Sequence, residues 1–323
     1  MEQNTRPDSL ASIVEEFESG RMSLGASNDE LVRKLQISDF ALEKDLGEGA
    51  YAFVKQGRYR WEEEAKPVVI KMMIKSKLQT ESILHDFDTG LSLPIELYAL
   101  RHLREHPHPN IVSMIDAFED PQYYYILMPM HGRGEDLFEY IEKHGDFISP
   151  EKVARIFSQV VMAIAHLHRT LGLVHRDIKD ENIIIDENDR ILLIDFGSCA
   201  YYRGGMPLTE ADVRRGKRLP YFDVFHGSID YASPEVLRNE PYDGPQQDVW
   251  ALGVLLYTLT FKEVPFRSTS DVLEGRLRLP FESDLEISAM IKAILSPDPT
   301  SRPTAEVLAE HPWIVKNYEA AMN

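Results

Sequence analysis

A short stretch in the middle of the chain combines two carboxylates, a lysine and an amide. Asp177 and Lys179 are followed by Asn182 and, after an apolar run, by Asp195. Transfer of a phosphoryl group needs a carboxylate to orient the attacking hydroxyl, a cation beside the γ-phosphate and oxygen ligands for Mg²⁺. Asp177 can take the first role, Lys179 the second, and Asn182 with Asp195 the third. The stretch therefore predicts Mg²⁺-assisted phosphoryl transfer.

A second group of candidate residues forms a glycine-containing turn between two predicted strands near the N-terminus. A strand, a glycine turn and a second strand can lay backbone N–H groups over phosphates. Two glycines separated by one residue are weak on their own, because tight hairpins use them as well. The residues of this predicted phosphate-binding flap are Leu46, Gly47, Glu48, Gly49, Ala50, Tyr51, Ala52, Phe53 and Val54.

Lys71 lies in an apolar, β-branched segment downstream of the flap. Such a lysine is usually a solvated charge at a sheet edge, unless an acid meets it. Glu96 is the candidate acid, because it shares the apolar face of a predicted helix with Leu100 and would need a cation there. Pro94 is predicted in the first turn of that helix. We expect a Lys71–Glu96 pair that holds Lys71 on the α- and β-phosphates of a nucleotide.

A small sheet followed by a mainly helical region must position these residues. Ser149-Pro150-Glu151 predicts a helix start, with serine as the N-cap and proline in the first turn. The run Val249–Phe261 predicts a core helix, since it is apolar on all sides and too short to cross a bilayer. The predicted strands are Phe40–Leu46, a second that ends near Tyr59, Val68–Met72, Ile111–Phe118 and Tyr123–Leu127.

The octet His175–Asn182, followed by Asp195-Phe196-Gly197, resembles the signature of the protein kinases, and the resemblance covers roughly residues 40–314. It implies an α+β, bilobal protein-kinase fold. The N-lobe would be a small antiparallel β-sheet plus one helix, and the C-lobe would be larger and mainly helical. ATP and Mg²⁺ are the implied cofactors. Lys179 and Ser228 indicate the serine/threonine branch of the family.

The resemblance also sets the expected domain bounds. Residues 39–314 would form the kinase domain, with the N-lobe at 39–128 and the C-lobe at 131–314. Residues 315–323 would be a C-terminal tail, and residues 1–38 an N-terminal extension. Four apolar residues at helical spacing in the extension predict one short helix, although a frayed segment is an equal alternative; they are Leu10, Ile13, Val14 and Phe17.

An adenine site follows from the same resemblance. Its expected residues are Val69, Met128, Met130, Asp136 and Ile184. Met128 and Met130 would bind adenine through backbone groups, and Pro129 removes only an N–H that adenine does not use. Val69 would form the roof of the site, where kinases usually have alanine, and Ile184 the floor. Asp136 would lie near the ribose hydroxyls, or it would act as the N-terminal acid of a helix.

Three further pairings are expected from the kinase pattern. Arg176 would pin the activation segment, Asp248 would hold the backbone of the catalytic loop, and Glu235 would pair with a distant arginine, Arg302. Many kinases need a phosphothreonine a few residues before the position of Gly227. Since Val224 stands there, we expect activity without that phosphorylation, with Asp223 offering Arg176 a fixed negative charge.

Within the serine/threonine branch, the chain is similar to the PAS-domain kinases of the calmodulin-dependent-kinase group. Asp180-Glu181 in the catalytic loop and the segments Phe222–Phe225 and Gly227–Tyr231 carry this similarity. No PAS domain is seen in the sequence. The chain would therefore be either a catalytic fragment or a shorter relative that lacks the sensor. Ala52 stands where the family has a third glycine. An insertion at 204–220 carries a basic cluster, read as a docking or nuclear-import element or as a solvated loop.

Composition bounds the partners of this 323-residue chain. A formal net charge of −18 argues against a nucleic-acid-binding surface, although it would also serve solubility alone. The single cysteine, Cys199, excludes an internal disulfide framework and fits a reducing compartment. We expect no secretion signal, since the first four residues have neither a basic start nor an apolar core. We expect a monomer in the cytoplasm, with the nucleus as an alternative, and neither nucleic acid nor membrane as a partner.

Protein substrates are the partners that the resemblance implies. Asp136, Asp180 and Glu181 border the expected substrate groove and predict a preference for basic residues near the target hydroxyl. A pseudokinase scaffold that binds partners without catalysis is the alternative function. It would normally have lost a lysine or an acid of the catalytic set, whereas Lys71, Asp177 and Asp195 are all present.

Overall fold

The computed structural model describes residues 35–62, 64–85, 92–145, 148–202, 221–280 and 284–323. Two predictions lie outside these residues: the helix of the N-terminal extension and the basic insertion at 204–220. The described residues divide into two compact units, which meet in the chain between Met130 and His131. The short segment His108–Ile111 belongs to the second unit, although it lies within the first unit's span of the sequence.

One antiparallel sheet dominates the first unit. The strands of this unit are β1 (Phe40–Glu48), β2 (Ala52–Tyr59), β3 (Val68–Ile74), β4 (Ile83–His85), β5 (Ser92–Pro94), β6 (Asp116–Glu119) and β7 (Tyr123–Pro129). Five of them form the sheet in the order β1-β2-β3-β7-β6, and β4 pairs separately with β5. The five predicted strands are confirmed, but β6 begins at Asp116 rather than at Ile111.

The centre of this sheet positions Lys71. β3 pairs with β2 on one side and with β7 on the other, and Lys71 lies opposite Val54 and Ile126. Successive side chains of a strand point to opposite faces. Ile70 therefore packs with Phe40 and Tyr125 in the core on one face, and Lys71 projects from the other.

The first unit also contains α1 (Ile95–Glu105), which carries Glu96 in its first turn. The prediction that Pro94 lies in that turn is wrong. Pro94 is the N-cap residue in an extended conformation and the last residue of β5. Glu96 and Leu100 are both buried, as their shared face predicts.

The second unit is mainly helical. Its helices are α2 (Leu137–His144), α3 (Pro150–His166), α4 (Pro234–Leu237), α5 (Gly244–Phe261), α6 (Thr269–Leu273), α7 (Leu285–Ile294), α8 (Ala305–Ala309) and α9 (Pro312–Met322). α3 starts as predicted, because the Ser149 side chain accepts a hydrogen bond from the Lys152 N–H. α5 is buried along most of its length and forms the core of the unit with α3 and α7. The mixed α+β class is thus confirmed.

Short strand pairs frame the catalytic stretch of the second unit. These strands are β8 (Glu135–Asp136), β9 (Leu173–Val174), β10 (Ile183–Ile185), β11 (Ile191–Leu193), β12 (Ala200–Tyr201), β13 (Tyr221–Phe222) and β14 (Tyr242–Asp243). They pair as β11-β10-β8, β12-β9 and β13-β14. The loop His175–Asn182 therefore runs between two anchored strands, β9 and β10, and Asp195 follows shortly after β11.

The segment predicted as a C-terminal tail is helical to Met322, as part of α9. α9 packs on α3, and the Arg190 guanidinium donates a hydrogen bond to the Met322 carbonyl at 2.6 Å. Within the described ranges, no helix has the length and apolar character needed to cross a bilayer.

Candidate active site

The predicted pair of Lys71 and Glu96 forms inside the first unit. Lys71 Nζ donates to Glu96 Oε1 at 2.7 Å, and the two residues are only 6% and 3% exposed. The ring of Tyr51, in the glycine turn, lies with its centroid 5.9 Å from the same ammonium group. A cation so enclosed by one carboxylate and one aromatic face has a fixed position. Lys71 is therefore placed by β3, α1 and the flap together.

The glycine turn leaves room that the protein itself does not fill. A Cβ added at Gly47 would meet nothing within 4 Å, and one added at Gly49 would meet only the Ala52 carbonyl, at 3.8 Å. Neither glycine is therefore required by packing within the chain. Open space beside an exposed turn fits a phosphate chain, which backbone N–H groups bind, although the Gly49 N–H already donates to the Ala52 carbonyl at 2.9 Å. Ala52, in place of the third glycine, is buried at the start of β2, so its methyl group fills a packed position.

The residues expected to bind adenine are divided between the two units. In the first unit, Val69 is half-buried and pairs across the sheet with Met128. β7 continues through Pro129, so the chain leaves the sheet at Met130, later than predicted. In the second unit, half-buried Ile184 pairs with Asp136 across β10 and β8.

Asp136 caps α2, as one of its two alternatives predicts. Its carboxylate accepts a hydrogen bond from the Glu139 N–H at 2.7 Å. Burial raises the pKa of this carboxyl, and the nearby Glu139 and Glu181 carboxylates raise it further. The cap uses Oδ1 of this carboxylate, so the expected role beside a ribose would fall to Oδ2.

A single buried carboxylate holds the backbone of the catalytic loop. Asp248, in α5, accepts hydrogen bonds from the N–H groups of His175 and Arg176 at 2.9 and 2.8 Å. It also pairs with His168 Nε2 at 2.9 Å, a partner that the sequence did not reveal. Arg176 has φ of 66°, a left-handed conformation that is costly for a residue with a side chain. The fixed Asp248 contacts maintain this conformation, which turns the loop toward Asp177.

Asp177 and Lys179 meet at the hydroxyl group of Ser228. Ser228 donates to Asp177 Oδ1 through both its N–H and its Oγ, at 3.0 and 3.1 Å. Lys179 Nζ donates to the same Oγ at 3.0 Å and lies 3.4 Å from Asp177 Oδ2. The Ser228 hydroxyl therefore lies beside both residues. The arrangement presents a carboxylate and an ammonium group to one small volume, as transfer to a hydroxyl requires.

The two expected metal ligands are held by short-range contacts. The Asn182 amide nitrogen donates to Asp177, at 2.8 Å to its carbonyl and 3.0 Å to Oδ2. That leaves the amide oxygen of Asn182 for a cation. Asp195 has φ of 62° and accepts from the Gly197 N–H at 3.1 Å. An amide oxygen and a carboxylate suit Mg²⁺, which takes few protein ligands and completes its shell with water and phosphate oxygens.

Arg176 does not bind the acid expected for it. Its guanidinium donates to the carbonyls of Ser198 and Cys199 at 2.6 and 3.3 Å and lies over the Phe222 ring. Among the described residues, Asp223 and Arg176 form no ion pair. The expectation that Asp223 supplies a fixed negative charge is wrong, because backbone carbonyls and an aromatic face already occupy the guanidinium. Arg176 nevertheless pins the activation segment, as predicted.

The segment that follows Ser228 is fixed to α5 and to the end of the domain. Glu235 and Arg302 form the predicted bridge, with two hydrogen bonds of 2.7 and 2.8 Å. The Gln247 side chain accepts from the Ser233 N–H and donates to the Tyr231 carbonyl. Sequence reasoning missed Gln247, since a glutamine inside an apolar helix carries no sign of its distant partners.

Comparisons with known proteins agree with this geometry. The protein kinase domain family matches residues 40–314. The chain is 41% identical to the serine/threonine-protein kinase PSK1 of Saccharomyces cerevisiae over 87% of its length, and 39% identical to ppk6 of Schizosaccharomyces pombe over 86%. It is 38% identical to the PAS domain-containing serine/threonine-protein kinase of Mus musculus over 84%.

The matched regions cover 20%, 33% and 18% of these three relatives. The chain thus spans about a fifth to a third of their length. The similarity to PAS-domain kinases that the catalytic loop indicates is confirmed, and it concerns the catalytic region. Because the family match covers most of the chain, this chain belongs to the protein kinase domain family.

Proposed function

We propose that this chain is an active, ATP- and Mg²⁺-dependent protein kinase that phosphorylates serine or threonine hydroxyls. The observation that carries the proposal is the Asp177 carboxylate, held by Ser228 and Asn182 with the Lys179 ammonium beside it. The buried Lys71–Glu96 pair supplies the second required part. The serine/threonine-protein kinase names of the relatives support the same activity.

Each residue of the site has one task in this proposal. Lys71 binds the α- and β-phosphates, and the flap lays its N–H groups over the phosphate chain. Asn182 and Asp195 would hold Mg²⁺, which neutralises phosphate charge when bound. Asp177 orients the substrate hydroxyl and accepts its proton, while Lys179 stabilises the charge on the transferred group. Little base strength is needed, because the transition state of phosphoryl transfer is loose.

We further propose a preference for basic residues near the target hydroxyl, supported by Asp136 and Glu181. Burial raises the pKa of Glu181, and the adjacent Asp180 carboxyl raises it further. A cationic substrate residue would relieve this repulsion. Asp180, the third acid of the original prediction, is buried and already bonded to Tyr231. Asp180 is therefore not proposed to contact the substrate directly.

The pseudokinase alternative gains no support from the two substitutions that could favour it. The Ala52 methyl group is accommodated in the packed start of β2, and Ser233 is the N-cap residue that directly precedes α4. Lys71, Asp177 and Asp195 remain in place. Catalysis is thus the better account of the site.

Phosphate transfer from ATP to a serine peptide with basic residues tests the proposal. Asp177→Asn should lower the rate at least about a hundredfold, since a positioned acid–base group contributes that much or more. Asp223→Asn is the matched control, because Asp223 is exposed and contacts none of the catalytic residues. Equal rates for wild type and Asp177→Asn would overturn the catalytic assignment. A peptide in which basic residues are replaced by alanine tests the substrate preference separately.

A further inference from the structure

Asp180 and Tyr231 form a buried side-chain contact that the mechanism above does not use. The Tyr231 hydroxyl donates to Asp180 Oδ1 at 3.0 Å, and the two residues are 6% and 7% exposed. Burial, together with the Asp180 charge, raises the pKa of the Tyr231 phenol. The hydroxyl therefore stays protonated and keeps its role as donor. A hydrogen bond to a carboxylate is roughly twice as strong as one between neutral groups.

This contact is the second side-chain link between the catalytic loop (His175–Asn182) and the segment that begins at Ser228. Asp177 binds Ser228, and three residues further along both segments Asp180 binds Tyr231. Between the two contacts the chain Ile229–Tyr231 forms a single 3₁₀ turn, closed by the Tyr231 N–H to the Ser228 carbonyl at 3.0 Å. Two side-chain contacts, one at each end, thus fix this turn to the loop that carries Asp177.

These two contacts determine which residue of the turn is exposed to solvent. Ile229, inside the turn, is 66% exposed, although it is a large apolar side chain. Tyr231 points the other way, into the contact with Asp180, and Gln247 holds its carbonyl from α5. If Tyr231 were released from Asp180, the turn would still be tied at Ser228 and Gln247. Only the orientation of the turn relative to the catalytic loop would become less defined.

We propose that Asp180 is a positioning residue for the protein substrate, which acts through Tyr231 and touches neither substrate nor ATP. This inference rests on the proposed kinase activity. Asp180 fixes the exposed Ile229–Tyr231 turn beside Asp177, so that the chain of a protein substrate meets a preformed surface next to its acceptor hydroxyl. In the proposed function, nucleotide binding depends on Lys71, Asn182 and Asp195 and not on Tyr231.

The presence of a carboxylate at position 180 favours this role over simple packing. Asp180 lies beside Glu181, and burial together with the Asp180 carboxyl raises the pKa of Glu181. A residue that only filled space would avoid this repulsion if it were apolar. An acceptor oxygen at this position is explained if the Tyr231 hydroxyl must be hydrogen-bonded to hold the turn in one orientation.

A double-mutant cycle with Tyr231→Phe and Asp180→Ala tests the proposal in steady-state transfer to a serine peptide. Each single variant should raise the peptide KM about five- to tenfold, since one charge-assisted hydrogen bond is lost. The double variant should be no worse than the worse single one, because both changes remove the same contact. The KM for ATP, and the slow hydrolysis of ATP without peptide, should change less than about twofold.

Two further variants separate positioning from charge and from folding. Asp180→Asn keeps an oxygen that accepts from Tyr231, so its peptide KM should return to within about twofold of wild type. Tyr221→Phe is the matched control, because Tyr221 is an exposed tyrosine of β13, and it should leave every constant unchanged. Thermal unfolding of Tyr231→Phe identifies any loss of fold.

Three outcomes would overturn the inference: additive effects in the cycle, a parallel rise of both KM values, or failure of Asp180→Asn to restore the peptide KM. The last would assign the Asp180 charge to direct substrate binding. Wild-type protein that transfers no phosphate in the same assay would instead overturn the proposed function, and the inference with it. Active wild type with an additive cycle would refute the inference alone.

Discussion

Lys71 Nζ and Glu96 Oε1 lie 2.7 Å apart in a pair that is almost completely buried. A buried ion pair is costly to break, since the remaining charge has no compensation. Here the pair also fixes the Lys71 ammonium group, which is the cation proposed to bind the phosphates. Its contribution should therefore be seen in catalysis as well as in stability.

Lys71→Met should lower kcat at least about a hundredfold, because it removes a fixed donor to the phosphates. Glu96→Gln should have a smaller effect, about tenfold in kcat/KM for ATP, since its amide oxygen still accepts from Lys71 but no longer attracts it as a charge. Steady-state kinetics at varied ATP measure both. Lys77→Met, at an exposed lysine just beyond β3, is the control and should retain full activity. Retention of activity in Lys71→Met would refute the role of Lys71.

Treatment with a phosphatase should leave the transfer rate within about twofold, because no negative charge is needed at Arg176. The carbonyls of Ser198 and Cys199 already accept from its guanidinium. Mass spectrometry before and after treatment, with kinetics on both samples, makes the comparison. Asp223→Asn should behave like wild type for the same reason. A near-total loss of activity on dephosphorylation would contradict this prediction.

Ser233→Ala should stabilise the fold. The Ser233 Oγ is buried and, among the described residues, has no hydrogen-bond partner; it does not cap α4. A buried polar group without a partner costs about 1–3 kcal/mol. Alanine removes that cost, and a gain of about 1 kcal/mol would raise Tm by roughly 2 °C in a domain of this size. Differential scanning calorimetry measures the shift, and Ser270→Ala, at an exposed position in α6, is the comparison. A lower Tm would show that the hydroxyl has a stabilising role.

Asp116 should make the fold less stable as pH rises through weakly acidic values. Burial raises the pKa of its carboxyl to about 6, although the Ala117 N–H and Arg104 oppose the change. A folded-state pKa above the unfolded value means that the folded state holds the proton more tightly. Stability is therefore highest when both states are protonated and falls between about pH 4 and pH 6.

Asp116→Asn should remove this dependence, because the amide stays neutral and its oxygen can still accept from Ala117. The variant should match wild type near pH 4 and unfold at a higher temperature at pH 8. Thermal unfolding of both proteins across that range gives the difference curve. Asp45→Asn, at an exposed residue of β1, should show no such crossover. A variant that is less stable at pH 8 than wild type would contradict the sign of the effect.

Sequence could predict residues whose chemical type is dictated by the reaction. Asp177, Lys179 and Ser228 come together because transfer to a hydroxyl demands an acid and a cation at one place. The Lys71–Glu96 pair could be predicted since an acid on an apolar helix face requires a cation. Helix starts such as Ser149-Pro150 follow from local capping, which needs no distant partner.

The remaining contacts depend on partners that leave no mark in the sequence. Every residue type carries a backbone carbonyl, so the sequence could not identify Ser198 and Cys199 as the partners of Arg176. Asp180 was visible as an unusual residue, but Tyr231 lies 51 positions away. The start of α1 was misplaced because proline is most common in the first turn of a helix, whereas the backbone angles of Pro94 make it the N-cap residue.

The last helix determines how much of this chain must be kept for the catalytic region to fold. The family match stops at residue 314, yet α9 continues for two further turns and packs its side on α3. A recombinant protein trimmed to the match would uncover that side of α3 and leave Arg190 without its carbonyl partner. Expression boundaries for this protein kinase domain should therefore include Met322.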